Sequence, residues 1–169
     1  ETAIPSSYLA RMTADLIDRA ALMRHRTRIR DDALFLHRAA LDEVQDRAAM
    51  VNKSFTEIAV VAPVASVWQT AFPDAHVTGD DDVLDLAKQG FDLVIHMGLH
   101  CANDPWGQLI QCRRALKPDG LCLAICPGGQ TLHELRAALS EAEIAETGGL
   151  SPRVLPMPEL RDLGGLLQR

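Results

Sequence analysis

Residues 93–126 read LVIHMGLHCANDPWGQLIQCRRALKPDGLCLAIC, and this stretch decides the fold. A run of apolar residues is followed by a loop, a segment of helical length, a Lys-Pro-Asp-Gly turn and a second apolar run. Asp104 and Pro105 predict the start of the helix, because Asp is a favoured N-cap and Pro suits the first helical position. The order strand, helix, strand predicts a βαβ unit and therefore parallel pairing of the two strands.

The segments before this stretch continue the alternation. Residues 57–65, EIAVVAPVA, predict a buried parallel strand that ends at residue 62. Residues 74–79, DAHVTG, predict a weaker strand, and residues 91–97, FDLVIHM, predict a clear one. Residues 80–90 between them predict a short helical or looped crossover. The fold class that follows is α/β, with a mainly parallel sheet and helices on both faces.

Helices are predicted at both ends of the chain. Residues 13–30 predict an arginine-rich helix, which is either a solvated face or a docking surface for an acidic partner. Residues 33–51 predict a second, amphipathic helix and residues 159–168 a last one. Thr131 and Glu134 predict a capping box for a further helix. We therefore expect a helical N-terminal extension over residues 1–52 and an α/β domain over residues 53–169, together forming one structural unit.

Composition narrows the class of protein. The chain has 169 residues, of which 47% are hydrophobic and 24% charged, as in ordinary globular domains. A formal net charge of −6 argues against a general nucleic-acid partner. No apolar run is long enough for a membrane span, so we expect no membrane partner. The four cysteines lack the spacing of a disulfide framework or a zinc site, which predicts reduced thiols and a cytoplasmic protein. No histidine has carboxylates at metal-site spacing, so we expect no metal.

Five motifs carry a resemblance to a known family. They are FDLVIHMGLHCANDPWGQLIQCRRALKPDG, GGQTLHELRAALSEAE, GGLSPRV, LRDLGGLLQR and, near the start, DRAALMRHRTRIRDDALFLH. Together they resemble class I S-adenosylmethionine-dependent methyltransferases. The resemblance is to the branch of the complex I assembly methyltransferase-like proteins and the biotin-pathway carrier-protein methyltransferases. It implies a Rossmann-like methyltransferase fold, an S-adenosylmethionine cofactor and a methyl acceptor, either a small molecule or a protein.

The cofactor half departs from the family pattern. In such enzymes the loop after the first strand is glycine-rich, whereas Ala62, Pro63 and Val64 here contain no glycine, and Pro63 lacks a backbone donor. The segment between the first strand and residues 91–97 is also too short for three crossovers, which predicts a shortened first half. Other candidate cofactor-binding residues are those that follow the next strands: Asp80, Asp81, Met97 and Gly98. We expect S-adenosylmethionine binding to be weak or lost.

Two functions remain open at this point. One is an S-adenosylmethionine-dependent methyltransferase of unknown substrate, and the other is a catalytically silent relative with a binding or assembly role. A dehydrogenase is excluded, because no G-x-G-x-x-G follows the first strand. The resemblance also implies further strands after residue 169. We therefore expect an exposed sheet edge, with either a homodimer formed through that edge or a longer natural protein.

The candidate catalytic residue is His100, a general base that follows a strand at the edge where α/β folds bind ligands. His96, inside the strand, is expected to be packed in the core. Candidate substrate-binding residues are Asn103, Asp104, Gly128, Gly129 and Arg153. Four of them have alternatives: Asp104 can cap a helix, Gly128 and Gly129 can simply turn the chain, and Arg153 can be solvated.

Overall fold

The computed structural model describes residues 15–155 and 157–167. The chain forms two compact units, Glu1–Ala124 and Ile125–Arg169, which are described separately below.

The first unit contains a four-stranded parallel sheet in the order β2-β1-β3-β4. The strands are β1 (Ile58–Val61), β2 (His76–Thr78), β3 (Phe91–His96) and β4 (Leu116–Ala124). All four were expected from the apolar runs, and the parallel pairing is confirmed. The chain places β2 on one side of β1 and β3 on the other. The carboxyl ends of β1 and β3 therefore form a topological switch point, where α/β sheets bind ligands.

Helices flank this sheet. They are α1 (Arg19–Arg26), α2 (Phe35–Ala49), α3 (Ala65–Ala71) and α4 (Pro105–Ala115). The predicted helix over residues 13–30 is shorter in its described part, and residues 13 and 14 lie outside the described residues. Residues 80–90 form a loop rather than a helix, so one helix and one strand lie between β1 and β3.

Asp104 caps α4 as predicted. Its Oδ1 accepts a hydrogen bond of 2.8 Å from the Gly107 amide, and Pro105 occupies the first turn. The Lys-Pro-Asp-Gly turn lies inside β4, which begins earlier than expected, at Leu116. Phe91 pairs with Leu116 and Leu93 with Leu121, so residues 117–120 bulge out of the ladder.

The core lies on both faces of the sheet. Val60, Val61, Val94 and Ile95 are completely buried, as expected for central parallel strands. Trp68 on α3 is also completely buried.

The second unit contains α5 (His133–Thr147) and α6 (Leu160–Leu167). The predicted capping box at Thr131 and Glu134 is wrong. The helix begins at His133 after Leu132, whose φ is 56° and whose side chain makes no cap. Glu134 is then the second helical residue instead of the third, so it is not placed to reach back to the cap. Gly148, with a φ of 68°, ends the helix in the left-handed conformation that glycine favours.

Candidate functional site

The loops that follow β1 and β3 leave the sheet at the same edge. The Met97 amide donates to the Val61 carbonyl at 2.8 Å, and the Ala62 amide donates to the Thr78 carbonyl at 3.0 Å. These bonds tie the first residues beyond β1 and β3 to the last residues of β2 and β1. The edge therefore has a fixed backbone on which side chains can be positioned.

Asp80 is the buried carboxylate of this edge, with only 2% of its surface exposed. It follows β2, and its Oδ1 and Oδ2 accept hydrogen bonds of 2.6 and 2.7 Å from the two terminal nitrogens of Arg26 on α1. Arg19, about two turns earlier on the same face of α1, lies 3.7 Å from Asp80 Oδ1. Burial alone would raise the pKa of Asp80, but the hydrogen bonds and charge of Arg26, helped by Arg19, hold it below its ordinary value. The carboxylate is therefore ionised and paired.

A buried hydrogen-bonded chain positions Asp80. The Gly98 amide donates to His96 Nδ1 at 3.0 Å, which leaves Nε2 of His96 to donate to Gln108 Oε1 at 3.0 Å. Gln108 Nε2 in turn donates to the Asp80 and Asp81 carbonyls at 3.2 and 2.9 Å. Burial lowers the pKa of His96 to about 4, so this imidazole is neutral at neutral pH. The expectation that His96 is packed in the core is confirmed.

Gly98 packs directly against Asp80. A Cβ on residue 98 would lie 2.6 Å from the Asp80 Cβ, closer than such atoms approach in real proteins. Two of the candidate cofactor-binding residues, from different strands, are thus brought into contact. A glycine is needed at this position because of the Asp80 side chain.

His100 lies in a short 3₁₀ turn, Leu99–Cys101, just beyond β3. Its Nδ1 is buried and has no hydrogen-bond partner among the described residues, as is also true of His37 Nδ1 on α2. Burial lowers the pKa of His100; Asp80 opposes this shift and Arg26 adds to it. Burial, Arg26 and His100 together lower the pKa of His37. Besides His96, the edge therefore holds two more imidazoles that favour the neutral form close to one ion pair.

Residues in α1 and just before it also form hydrogen bonds with other candidate site residues. Asn103 Oδ1 accepts from the Ile17 amide at 2.8 Å, and Asn103 Nδ2 donates to the Ile17 carbonyl at 3.1 Å. Arg19 donates to Asp81 Oδ1 at 3.0 Å and to the Cys101 carbonyl at 3.5 Å. The predicted arginine-rich helix thus bonds to acidic side chains of its own chain.

Asp80 suits S-adenosylmethionine, but the loop after β1 does not. A buried carboxylate that already accepts two parallel hydrogen bonds can also accept them from the two hydroxyls of a ribose. In the loop, however, the Ala62 amide is already used by Thr78, and Pro63 has no amide hydrogen. The backbone therefore offers few donors to a cofactor at this position.

The remaining candidate residues belong to the second unit. Gly128 has open space around it, whereas a side chain on Gly129 would clash with the carboxylate of Glu159. Arg153 donates to Glu143 Oε1 at 2.8 Å, so its guanidinium is already paired within the unit. The Arg153 side chain is 62% exposed, so an anionic substrate would have to compete with Glu143 for it.

Three residues at this edge of the first unit were not predicted from the sequence as site residues: Arg26, His37 and Gln108. Arg26 carried a signal, since it belongs to the arginine-rich helix for which an acidic partner was considered. His37 lies in the predicted amphipathic helix over residues 33–51 and was not singled out as a candidate. Gln108 carried no signal, because a glutamine in an amphipathic helix is unremarkable by itself. Within the described residues, no group of three or more His, Cys, Asp or Glu side chains is arranged to hold a metal ion. No described helix is long and apolar enough to cross a membrane.

Comparison with known proteins identifies the family. Residues 37–124, slightly more than half of the chain, match the family model described as a methyltransferase domain. The mitochondrial arginine-hydroxylase NDUFAF5 of Rattus norvegicus is 40% identical over 121 residues, which cover 70% of this chain and 35% of that protein. The Homo sapiens NDUFAF5 is 40% identical over 102 residues, which cover 60% of this chain and 30% of that protein. The chain therefore spans about a third of the length of the curated relatives it matches.

Among solved structures, the crystal structure titled a putative methyltransferase, BH2331 from Bacillus halodurans, aligns with this chain with a TM-score of 0.47 and 11% identity. The alignment covers 73% of this chain and 62% of that chain. The family match includes β1 to β4, with the switch-point edge that they form. The protein thus belongs to the methyltransferase-domain family and has its Rossmann-like α/β fold.

Proposed function

We propose that the protein is an S-adenosylmethionine-dependent methyltransferase acting on a small-molecule or protein acceptor, with weak affinity for its cofactor. The observation that carries the proposal is Asp80. It is a buried, ionised carboxylate at the switch-point edge, and it accepts two parallel hydrogen bonds. A ribose diol presents a similar pair of donors, so the carboxylate that now holds Arg26 can hold a nucleoside in its place.

The residues around Asp80 have separate roles in this proposal. Gly98 leaves the space that Asp80 occupies, and Gln108 holds the backbone carbonyls of Asp80 and Asp81. S-adenosylmethionine supplies the methyl group when bound. The protein contributes mainly by orienting the acceptor, because proximity and alignment dominate such transfers. His100, which is neutral because burial lowers its pKa, takes a proton from acceptors that must lose one.

A second candidate function is favoured by the occupied carboxylate. Both oxygens of Asp80 are taken by Arg26, and the loop after β1 has little to offer a cofactor. If Arg26 stays paired with Asp80 at all times, the domain keeps the methyltransferase fold without the activity and serves as a binding or assembly protein. The hydroxylase activity in the name of the relatives belongs to proteins of which this chain spans about a third.

Calorimetric titration with S-adenosylmethionine separates the two candidates. We expect weak binding to the wild type and tighter binding to Arg26→Met, because the substitution removes the competing guanidinium. Asp80→Asn should abolish binding in both backgrounds. Arg24→Met is the matched control, since Arg24 lies on the same helix and is exposed. Absence of binding to both wild type and Arg26→Met would favour the silent alternative.

Circular dichroism of Arg26→Met verifies that the variant is folded. A second measurement uses the wild type alone: the side-chain Nε–H resonance of Arg26 should shift when the cofactor is added. An unchanged resonance at saturating cofactor would contradict displacement of Arg26 from Asp80.

Two further proposals concern the environment of the protein. The four cysteines carry free thiols, which supports a cytoplasmic location. β4 is a terminal strand of the sheet, and its far edge has no strand partner among the described residues, which supports a homodimer formed through this edge. Light scattering tests the dimer, and a monomeric mass at high concentration would rule it out.

A further inference from the structure

The second unit contains a pocket that the proposed activity does not use. It has a volume of about 340 Å³ and lies between α5 and the segment that follows it. Four apolar residues line it, Leu139, Leu150, Pro152 and Val154. The other lining residues are polar: Arg136 and Ser140 of α5, and Ser151 and Arg153. A cationic side chain beside apolar ones suggests a ligand that has a negative charge and an apolar part.

Arg136 has an unused pair of donors. Its Nε and Nη2 are both buried, and neither has a hydrogen-bond partner among the described residues. These two nitrogens lie on one edge of the planar guanidinium, the edge that binds a carboxylate with two parallel hydrogen bonds. Buried donors without an acceptor are costly, and a guanidinium keeps its charge when buried. The arrangement therefore indicates a missing acceptor.

The other charged groups nearby do not supply that acceptor. Glu143 accepts at Oε1 from Arg153 and from the Ser151 hydroxyl, and at Oε2 from the Ser151 amide at 2.9 Å. Ser140, which lines the pocket, donates its hydroxyl to the Arg136 carbonyl. With Arg153 paired to Glu143, the unmatched positive charge in this pocket is that of Arg136 among the described residues.

We propose that this pocket binds a small monocarboxylate with a short apolar tail. The carboxylate pairs with Nε and Nη2 of Arg136, and the tail lies against Leu139, Leu150 and Val154. The apolar side chains favour such a molecule over inorganic phosphate. Phosphate oxygens would find few free donors, because Ser140 already donates to the Arg136 carbonyl, and Ser151 and Arg153 donate to Glu143. In this site the anion binds Arg136 and not Arg153, which was the arginine considered for an anionic substrate from the sequence. The proposal does not depend on methyltransferase activity.

Titration calorimetry of the whole chain tests the site with hexanoate as the probe. We expect saturable binding with a Kd on the order of 1 mM or below. 1-Hexanol, which has the tail without the charge, and inorganic phosphate, which has the charge without the tail, should both bind more weakly. Tighter binding of phosphate than of hexanoate would overturn the proposal, and so would no binding of hexanoate in the millimolar range.

Substitutions assign the binding to Arg136. Arg136→Met keeps the length of the side chain and should weaken hexanoate binding about 10- to 100-fold, the value of charged hydrogen bonds. Arg136→Lys keeps the charge but loses the paired donors, so it should also bind more weakly and serves if the Met variant does not fold. Arg161→Met, an exposed arginine of α6, should bind as the wild type does.

A ligand-free measurement adds an independent check. Because an unpaired buried guanidinium is unfavourable, Arg136→Met without ligand should unfold at a temperature equal to or above that of the wild type. A clear decrease would mean that the chain itself supplies the acceptor, and it would overturn the proposal.

Discussion

Replacing Arg26 with Met should destabilise the first unit by about 3–5 kcal/mol, the usual cost of removing one partner of a buried ion pair. The side chains of Arg26 and Asp80 are 12% and 3% exposed, so the pair is well removed from water. Two charge-assisted hydrogen bonds at about 1.5–3 kcal/mol each lead to a similar figure. Most of the loss arises because Asp80 stays buried without its cation, and Arg19 at 3.7 Å compensates only in part.

Urea unfolding followed by tryptophan fluorescence measures this loss. Trp68 is completely buried in the first unit, and Trp106 is in the same unit, so the signal reports on the part of the chain that carries the pair. Arg24→Met should change the free energy of unfolding by no more than about 0.5 kcal/mol, as exposed substitutions generally do. Arg26→Met combined with Asp80→Asn should recover part of the loss, because the uncompensated charge is gone.

The reasoning fails if Arg26→Met unfolds within about 0.5 kcal/mol of the wild type, the range of an ordinary surface substitution. That result would mean that α1 does not hold its position over the edge in solution. It would also remove the competition on which the affinity difference between wild type and Arg26→Met rests.

Three more predictions concern the same edge. His96 has its pKa lowered by burial from 6.5 to about 4, so the stability from its neutral form is present above about pH 6.5 and is lost as the pH falls toward about 4. In urea unfolding between those pH values, His96→Asn should lose about 3 kcal/mol less than the wild type, and equal losses would contradict the assignment. His100→Ala should lower turnover about 10²- to 10⁴-fold on an acceptor that must be deprotonated, with cofactor affinity nearly unchanged, and an unaltered rate would make His100 structural. In urea unfolding, Gly98→Ala should lower the free energy of unfolding by about 1–3 kcal/mol, because its Cβ would overlap Asp80, whereas Gly79→Ala, whose Cβ would make only an ordinary contact of 3.4 Å with Asp81 Oδ2, should change it much less.

Local signals in the sequence predicted most of the fold. Central parallel strands are apolar on both faces, so β1 and β3 are visible as short apolar runs. Asp104 and Pro105 act within a single helical turn, so the start of α4 can be predicted from neighbouring residues, and the structure places both residues there. The predicted capping box is wrong although Thr131 and Glu134 have the right spacing, because Leu132 adopts a left-handed conformation that moves the start of the helix. Such a shift depends on how the preceding chain enters the helix, which the two side chains do not determine.

The sequence predicted which candidate residues lie at one edge of the sheet, but not how they are paired. The order of strands put Asp80, Gly98 and His100 at one edge, and the structure brings Asp80 and Gly98 into contact. Arg26 and Asp80 lie 54 positions apart in the sequence, and nothing local to either residue encodes their pairing. An arginine-rich helix looks the same whether its partner belongs to another molecule or to its own chain. The difference comes only from tertiary structure.

The stability of this pair also limits how tightly any ligand can use Asp80. A ligand that binds only after Arg26 leaves has its affinity reduced by the fraction of molecules in which Asp80 is free. When α1 moves away, Asp80 gains water, so opening costs less than the about 3–5 kcal/mol of truncating Arg26. At 1.4 kcal/mol for each tenfold change, that figure sets an upper limit of about 10³-fold on the affinity lost to the closed state. A cofactor that binds the open site with micromolar affinity would then bind the wild type in the millimolar range at worst. If Arg26→Met improved cofactor affinity by much more than about 10³-fold, α1 would have to obstruct the site through more than its ion pair with Asp80.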